Sequence, residues 1–130
     1  MDQQGKVWGT TQCLQQSPLF SVHLLRIDQG GFCSQHRHER KLNHFHVISG
    51  RLAIHLWPRG VEQDQPDTTE LTAGQSFTVE LGAWHSFTAM TPTVALEVYE
   101  AAPVEEDIIR RTVGGNVNRV RPESEPESES

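Results

Sequence analysis

Apolar residues recur at every second position through much of this chain, and glycines and prolines cut the pattern at short intervals. Arg51–Trp57 reads RLAIHLW, with Leu52, Ile54 and Leu56 on one side and Ala53, His55 and Trp57 on the other, and stops at Pro58-Arg59-Gly60. Strand side chains alternate between two faces, so this period of two marks a β-strand. The same pattern runs through 21–27 (SVHLLRI), closed by Asp28-Gln29-Gly30-Gly31, and 43–48 (NHFHVI), closed by Ser49-Gly50. Residues 75–81, 85–90 and 93–100 form three further runs, divided by Gly82 and by Thr91-Pro92. At least six short strands, with no amphipathic helix among them, predict an all-β barrel or sandwich.

The ends depart from this pattern. Residues 1–18 are rich in Gln and Thr and predict an extra edge strand around Val7-Trp8, while polar residues 61–69 read as a loop. Residues 103–121 predict one short helical turn before the Gly114-Gly115 break. The division expected is a barrel over 1–101, an extension over 102–121 and an acidic tail over 122–130 (PESEPESES) of disorder-type composition. At 130 residues the chain is one domain. The net charge of −6 belongs mostly to the tail; without its four Glu the balance is eleven basic against thirteen acidic residues, or −2. No basic footprint for nucleic acid exists. No 18-residue apolar run is present and the first residues lack a signal-peptide core, so neither a membrane span nor export is expected. Cys13 and Cys33 show no C-x-x-C spacing, which fits a reduced, cytoplasmic pair.

Seven histidines are many for so short a chain, and five of them, His36, His38, His44, His46 and His85, fall in two turn-bounded segments. His36-Arg37-His38 puts two imidazoles on one strand face. A third, from a neighbouring strand, would complete a facial set for a divalent metal, because neutral imidazole suits zinc, iron, nickel and copper. Parity from Asn43 sends Phe45 and Val47 to its own face, and His44, His46 and Ile48 to the opposite one. His23 and His55 read as ordinary strand residues, and Cys33 as a buried thiol near the barrel mouth. Glu97 and Tyr99 share a face opposite Val94, Leu96 and Val98. With Lys41 and Arg26 they are the remaining polar candidates for an interior.

These residues also form a recognisable pattern. Gly30/Gly31, His36, His38, position 43 and Gly50 resemble the first cupin motif, G-x5-H-x-H-x3,4-E-x6-G. LTAGQSFTVELGAWHSF at 71–87 resembles the second, G-x5-P-x-G-x2-H-x3-N, through Gly74, Gly82 and His85. Glu80 stands at the usual Pro and Ala89 at the usual Asn. The two segments cover roughly 30–87, and strand patterning extends the likeness to about Glu100. The resemblance implies a double-stranded β-helix (jelly-roll) barrel enclosing one divalent transition metal, Zn, Mn, Fe or Ni. Its ligands would be His36, His38 and His85. The family's fourth ligand is Glu, where this chain has Asn43. Three outcomes follow: a neutral amide ligand, a three-histidine site as in cupins resembling the thiol dioxygenases, or loss of the metal. An amide ligand would leave the full cation charge for an anionic substrate.

HERKLNHFHVISG is also similar to the H-x-H-R-A-E-H-W-x-V-x-S-G segment of type II mannose-6-phosphate isomerase cupin domains, and LEVYEAAPVEEDIIR at 96–110 to their final strand and acidic ending. That likeness implies a sugar or sugar-phosphate isomerase or epimerase. Lys41 would hold the anionic end, Glu97 would move the proton and Tyr99 would donate a hydrogen bond. The competing expectations are a three-histidine iron dioxygenase and a non-catalytic binding or sensing cupin. The partners expected are an anionic small molecule and a second copy of the chain.

Overall fold

Alternation through 93–100 settles which way the interior lies: Thr93, Ala95, Glu97 and Tyr99 are buried, and Val94, Leu96 and Val98 are not. The computed structural model describes residues 3–100 and 109–118. The strands are β1 (Gln3–Lys6), β2 (Gly9–Gln16), β3 (Phe20–Ile27), β4 (Gly31–Phe32), β5 (His36–Arg37), β6 (Leu42–Ser49) and β7 (Arg51–Trp57). They continue with β8 (Asp67–Thr72), β9 (Ser76–Val79), β10 (Trp84–Ala89), β11 (Thr93–Glu100), β12 (Ile109–Arg110) and β13 (Gly115–Asn116). No helix long and apolar enough to cross a membrane occurs among the described residues.

All pairings are antiparallel. One sheet runs β1-β2-β3-β11-β6-β9. In the other, β10 is central, with β7 and then β8 on one side and β5 and β4 successively on the other, and β12 and β13 extend β5 and β4. The inner faces meet over Leu25, Ile27, Phe45, Val47, Leu52, Ile54 and Phe87. Fully burying one such side chain contributes roughly 1.5–3 kcal/mol. The result is the jelly-roll barrel expected from the motifs. Crossing between the sheets falls to short turns, which need glycine where φ is positive. Gly50, at φ 94°, joins β6 to β7 with its backbone against Pro92 and Thr93, so no side chain fits there.

Four expectations change. The extra edge strand expected in residues 1–18 is present as the β1–β2 hairpin, but Val7-Trp8 is its turn; Trp8 enters the core there and meets Phe87 edge-to-face, with ring centroids 5.2 Å apart. The polar stretch 61–69 is not all loop, because β8 begins at Asp67 and pairs along β7, with side chains mostly exposed. Lacking a buried face on both sides, that edge strand shows no apolar alternation. The run 75–81 ends at Val79, where Glu80 begins a turn with Gly82 at φ 78°. Arg26 is exposed and not an interior residue. Of residues 103–121, where a helical turn is expected, 109–118 are described and hold β12 and β13 rather than helix; the rest of that stretch and the acidic tail lie outside the described residues.

Candidate metal centre

Each ligand candidate is delivered by a short, tied-down element. His36 lies in β5, directly opposite His85 of β10. His38 follows β5, and its carbonyl accepts the Gly82 N–H at 2.8 Å, which ties it to the turn preceding β10. Glu80, at the unusual motif position, supports that turn, since its carboxylate accepts the Arg59 N–H at 3.1 Å. Ligand-capable atoms of His36, His38 and His85 all lie within 4.8 Å of one another, and all three side chains are buried. Ring centroids are 4.4 Å apart for His36–His85, 5.2 Å for His36–His38 and 5.5 Å for His38–His85.

Two backbone carbonyls set the protons. Ser34 O accepts from His36 Nδ1 at 2.8 Å and Ala83 O from His85 Nδ1 at 3.0 Å. A carbonyl only accepts, so each Nδ1 carries the hydrogen and each Nε2 keeps its lone pair, the tautomer a metal requires. Burial keeps both rings neutral. It lowers His85 to about 3, against the pull of the Ala83 carbonyl, and lowers His36 well below its ordinary value with help from His85 and His38. The sequence reading missed both carbonyls. The only signal for them is their shared place two residues before a histidine.

Asn43 completes the group. It is 1% exposed on β6, with Phe45 and Val47 on its face, while His44 and His46 turn outward to Thr78, Glu100 and Ser76. Its Oδ1 lies 3.1 Å from His85 Nε2, and its Nδ2 donates to Glu97 Oε2 at 3.3 Å. Oδ1 and the lone pair of Nε2 are both acceptors, and facing one another they repel unless a cation lies between. Ligand atoms about 2.1 Å from a metal and at right angles around it stand about 3 Å apart. The donor set therefore fits a divalent metal held by His36, His38 and His85, with the amide oxygen of Asn43 as a fourth donor. All four donors are neutral.

Behind Asn43, β11 supplies the carboxylate that β6 lacks. Glu97 is buried, accepts from the Tyr99 hydroxyl at 3.1 Å, and is pushed up to about 7 by burial against the opposing hydrogen bonds from Asn43 and Tyr99. The Tyr99 ring packs on His38 with centroids 5.2 Å apart. Lys41 is half-buried, its Nζ 4.8 Å from the Tyr99 ring centroid, so it covers the tyrosine. His23 packs on the same ring, and His55 bonds to Thr68 and Thr88 on the outer sheet face. Cys33 is buried and its sulfur accepts the Phe87 N–H at 3.3 Å.

Known proteins share this architecture. A solved structure of KdgF from Halomonas sp. is 18% identical, with a TM-score of 0.67 over 79% of this chain and 90% of that one. Oxalate decarboxylase from Bacillus subtilis is 14% identical, with a TM-score of 0.72 over 84% of this chain. The formate complex of the Lactobacillus farciminis oxalate decarboxylase is 16% identical, with a TM-score of 0.69. This chain spans only 29% and 33% of those two longer proteins. Identities this low speak for the fold alone. No curated protein matches the sequence. The family model described as "Cupin domain" matches residues 23–99, most of the described barrel, and the chain belongs to the cupin family.

Proposed function

We propose that this protein is a metal-dependent enzyme that moves a proton on a small anionic hydroxy-carbonyl compound, in the isomerase or epimerase class. One observation carries the reading: the buried Glu97–Tyr99 pair lies directly behind the candidate ligand Asn43 and beside His38. A divalent metal at the histidines supplies a Lewis acid for a carbonyl or hydroxyl oxygen. Glu97 and Tyr99 share a hydrogen bond along which a proton can pass, and burial excludes water from both. Lys41, above Tyr99, offers a cation to the far end of an anionic substrate. A sugar phosphate is the substrate class favoured by the likeness of HERKLNHFHVISG to mannose-6-phosphate isomerase cupins.

A neutral donor set also suits a second reading, a three-histidine dioxygenase whose substrate chelates iron as an anion. One experiment separates them. Metal-loaded protein is incubated with mannose 6-phosphate and other aldose and ketose phosphates in deuterium oxide, with oxygen uptake followed in parallel. The proposal expects deuterium at the carbon beside the carbonyl without oxygen uptake, and loss of exchange in Glu97→Gln. No exchange with any sugar phosphate while metal is bound would sink it, and oxygen consumed in proportion to substrate would favour the dioxygenase.

A further inference from the structure

The strands that hold the histidines have a second face. Between inward His36 and His38 stands outward Arg37, and next to inward His85 stands outward Trp84, which is paired across β7 with Trp57. These side chains line a cavity of about 390 Å³ with Arg59 and Arg111. That is room for a small organic ligand.

Its chemistry is specific. The Arg111 guanidinium sits 4.2 Å from the Trp84 ring centroid and 5.4 Å from that of Trp57, and Arg37 approaches Trp84 at 5.1 Å. Arg111 is pinned by its own N–H, which Gln35 O accepts at 2.8 Å, while the next residue, Thr112, accepts the Gln35 N–H at 2.8 Å. Arg37 has a carboxylate partner in Glu39 at 3.2 Å. Neither Arg59 nor Arg111 makes an ion pair with a described carboxylate, although Glu62 and Asp64 also border the cavity. Gathering guanidiniums without matching ion pairs costs Coulomb energy that an incoming anion recovers. The planar fork of Arg matches an oxyanion in two-pronged fashion, and its stacking on indole leaves the N–H edge for that contact.

We infer that this cavity is a second binding site, on the outer face of the barrel wall whose inner face carries the histidines, for a small carboxylate with a flat apolar body. The carboxylate meets Arg59 and Arg111, and the apolar body lies against Val61 and the edge of Trp57. Nothing in the proposed chemistry at the histidines uses these residues.

Trp57 and Trp84 supply the readout, since the third tryptophan, Trp8, is buried in the core. The full-length protein is titrated with sodium benzoate and followed by tryptophan emission and calorimetry, before and after treatment with EDTA. Saturable binding of one equivalent is expected, with the same affinity after EDTA, which distinguishes this cavity from a carboxylate on a bound metal. Arg111→Ala and Arg59→Ala, both at exposed positions, should each weaken binding on the order of tenfold, with Arg111→Lys intermediate. Benzyl alcohol, the same ring without the charge, should bind on the order of tenfold more weakly than benzoate. Unsaturable binding, affinity unchanged in both alanine variants, affinity lost with EDTA, or equal binding of the alcohol would each overturn the inference.

Discussion

The side-chain amide of Asn43, on β6, donates to the carboxylate of Glu97, on β11, across 3.3 Å. A residue that reads as a lost acid in the first motif is thus backed by an acid from the next strand. The amide divides the work, its oxygen directed to His85 and its nitrogen to Glu97. Burial pushes the Glu97 carboxyl up to about 7, so it gains or loses its charge near neutrality just behind the Asn43 amide.

That arrangement makes the two positions interdependent. Replacing Asn43→Glu puts a second carboxylate against Glu97 in a buried place, and like charges so close cannot both ionise freely. Metal-free protein should lose about 2–4 kcal/mol in denaturant unfolding. The double change Asn43→Glu with Glu97→Gln should recover much of that, because an amide at 97 donates where a carboxylate repels. Metal should bind the single variant more tightly than wild type. Additive effects in the cycle would mean that the two side chains do not communicate.

Removing a histidine should remove the metal. His85→Ala and His36→Ala should each weaken binding of a divalent transition metal by more than about 100-fold, since loss of an outer partner alone costs about 10–100-fold. Elemental analysis of natively purified protein checks this. His44→Ala, on the outward face, should keep its metal.

Acid should destabilise the metal-free protein in a definite window. Burial holds His55 below its ordinary 6.5, so the unfolded chain binds a proton there that the folded chain resists. The His55 contribution is therefore full above about 6.5 and falls as pH drops below it, while Glu97, pushed up to about 7, acts in the opposite direction and is common to wild type and variant. His36 and His85 act in the same direction as His55. Unfolding in urea at pH 7.5 and 5.5 should show a smaller acid loss for His55→Asn than for wild type. An equal loss would show that His55 titrates alike in both states.

Two glycines separate backbone strain from crowding. Gly50 has φ 94°, and an added Cβ would lie 2.4 Å from Pro92 O; Gly74 has φ 87° and open space around it. Gly74→Ala should cost about 1–2 kcal/mol for its left-handed backbone alone. Gly50→Ala should cost clearly more, about 3 kcal/mol or above, because rigid backbone must also move. Thermal unfolding of the two variants side by side tests the ranking.

Much of this molecule was legible in its sequence. Alternation located β3, β6, β7, β10 and β11, because successive side chains of a strand point to opposite faces and one face of each strand lines the core. The same parity put Asn43 on the face opposite His44 and His46, and the structure made the Asn43 face the inner one. Parity paired His36 with His38, and the resemblance to the two cupin motifs added His85. Where burial is one-sided but shallow, as in β8 at the sheet edge, polar side chains suffice on both faces and the pattern vanishes. Four strands of two residues each, including β12 and β13, are too short to show any period.

What the sequence by itself determined is therefore the barrel, through local periodicity, and the three imidazoles, through that periodicity joined to the cupin-motif resemblance. The tertiary structure decided the rest. It brought Glu97 to Asn43, 54 positions apart in the chain, and Arg111 to Trp84, through strand pairing that no local pattern encodes. It also chose which ring nitrogen carries the proton, because the Ser34 and Ala83 carbonyls, each two residues before its histidine, meet Nδ1 only in the folded backbone.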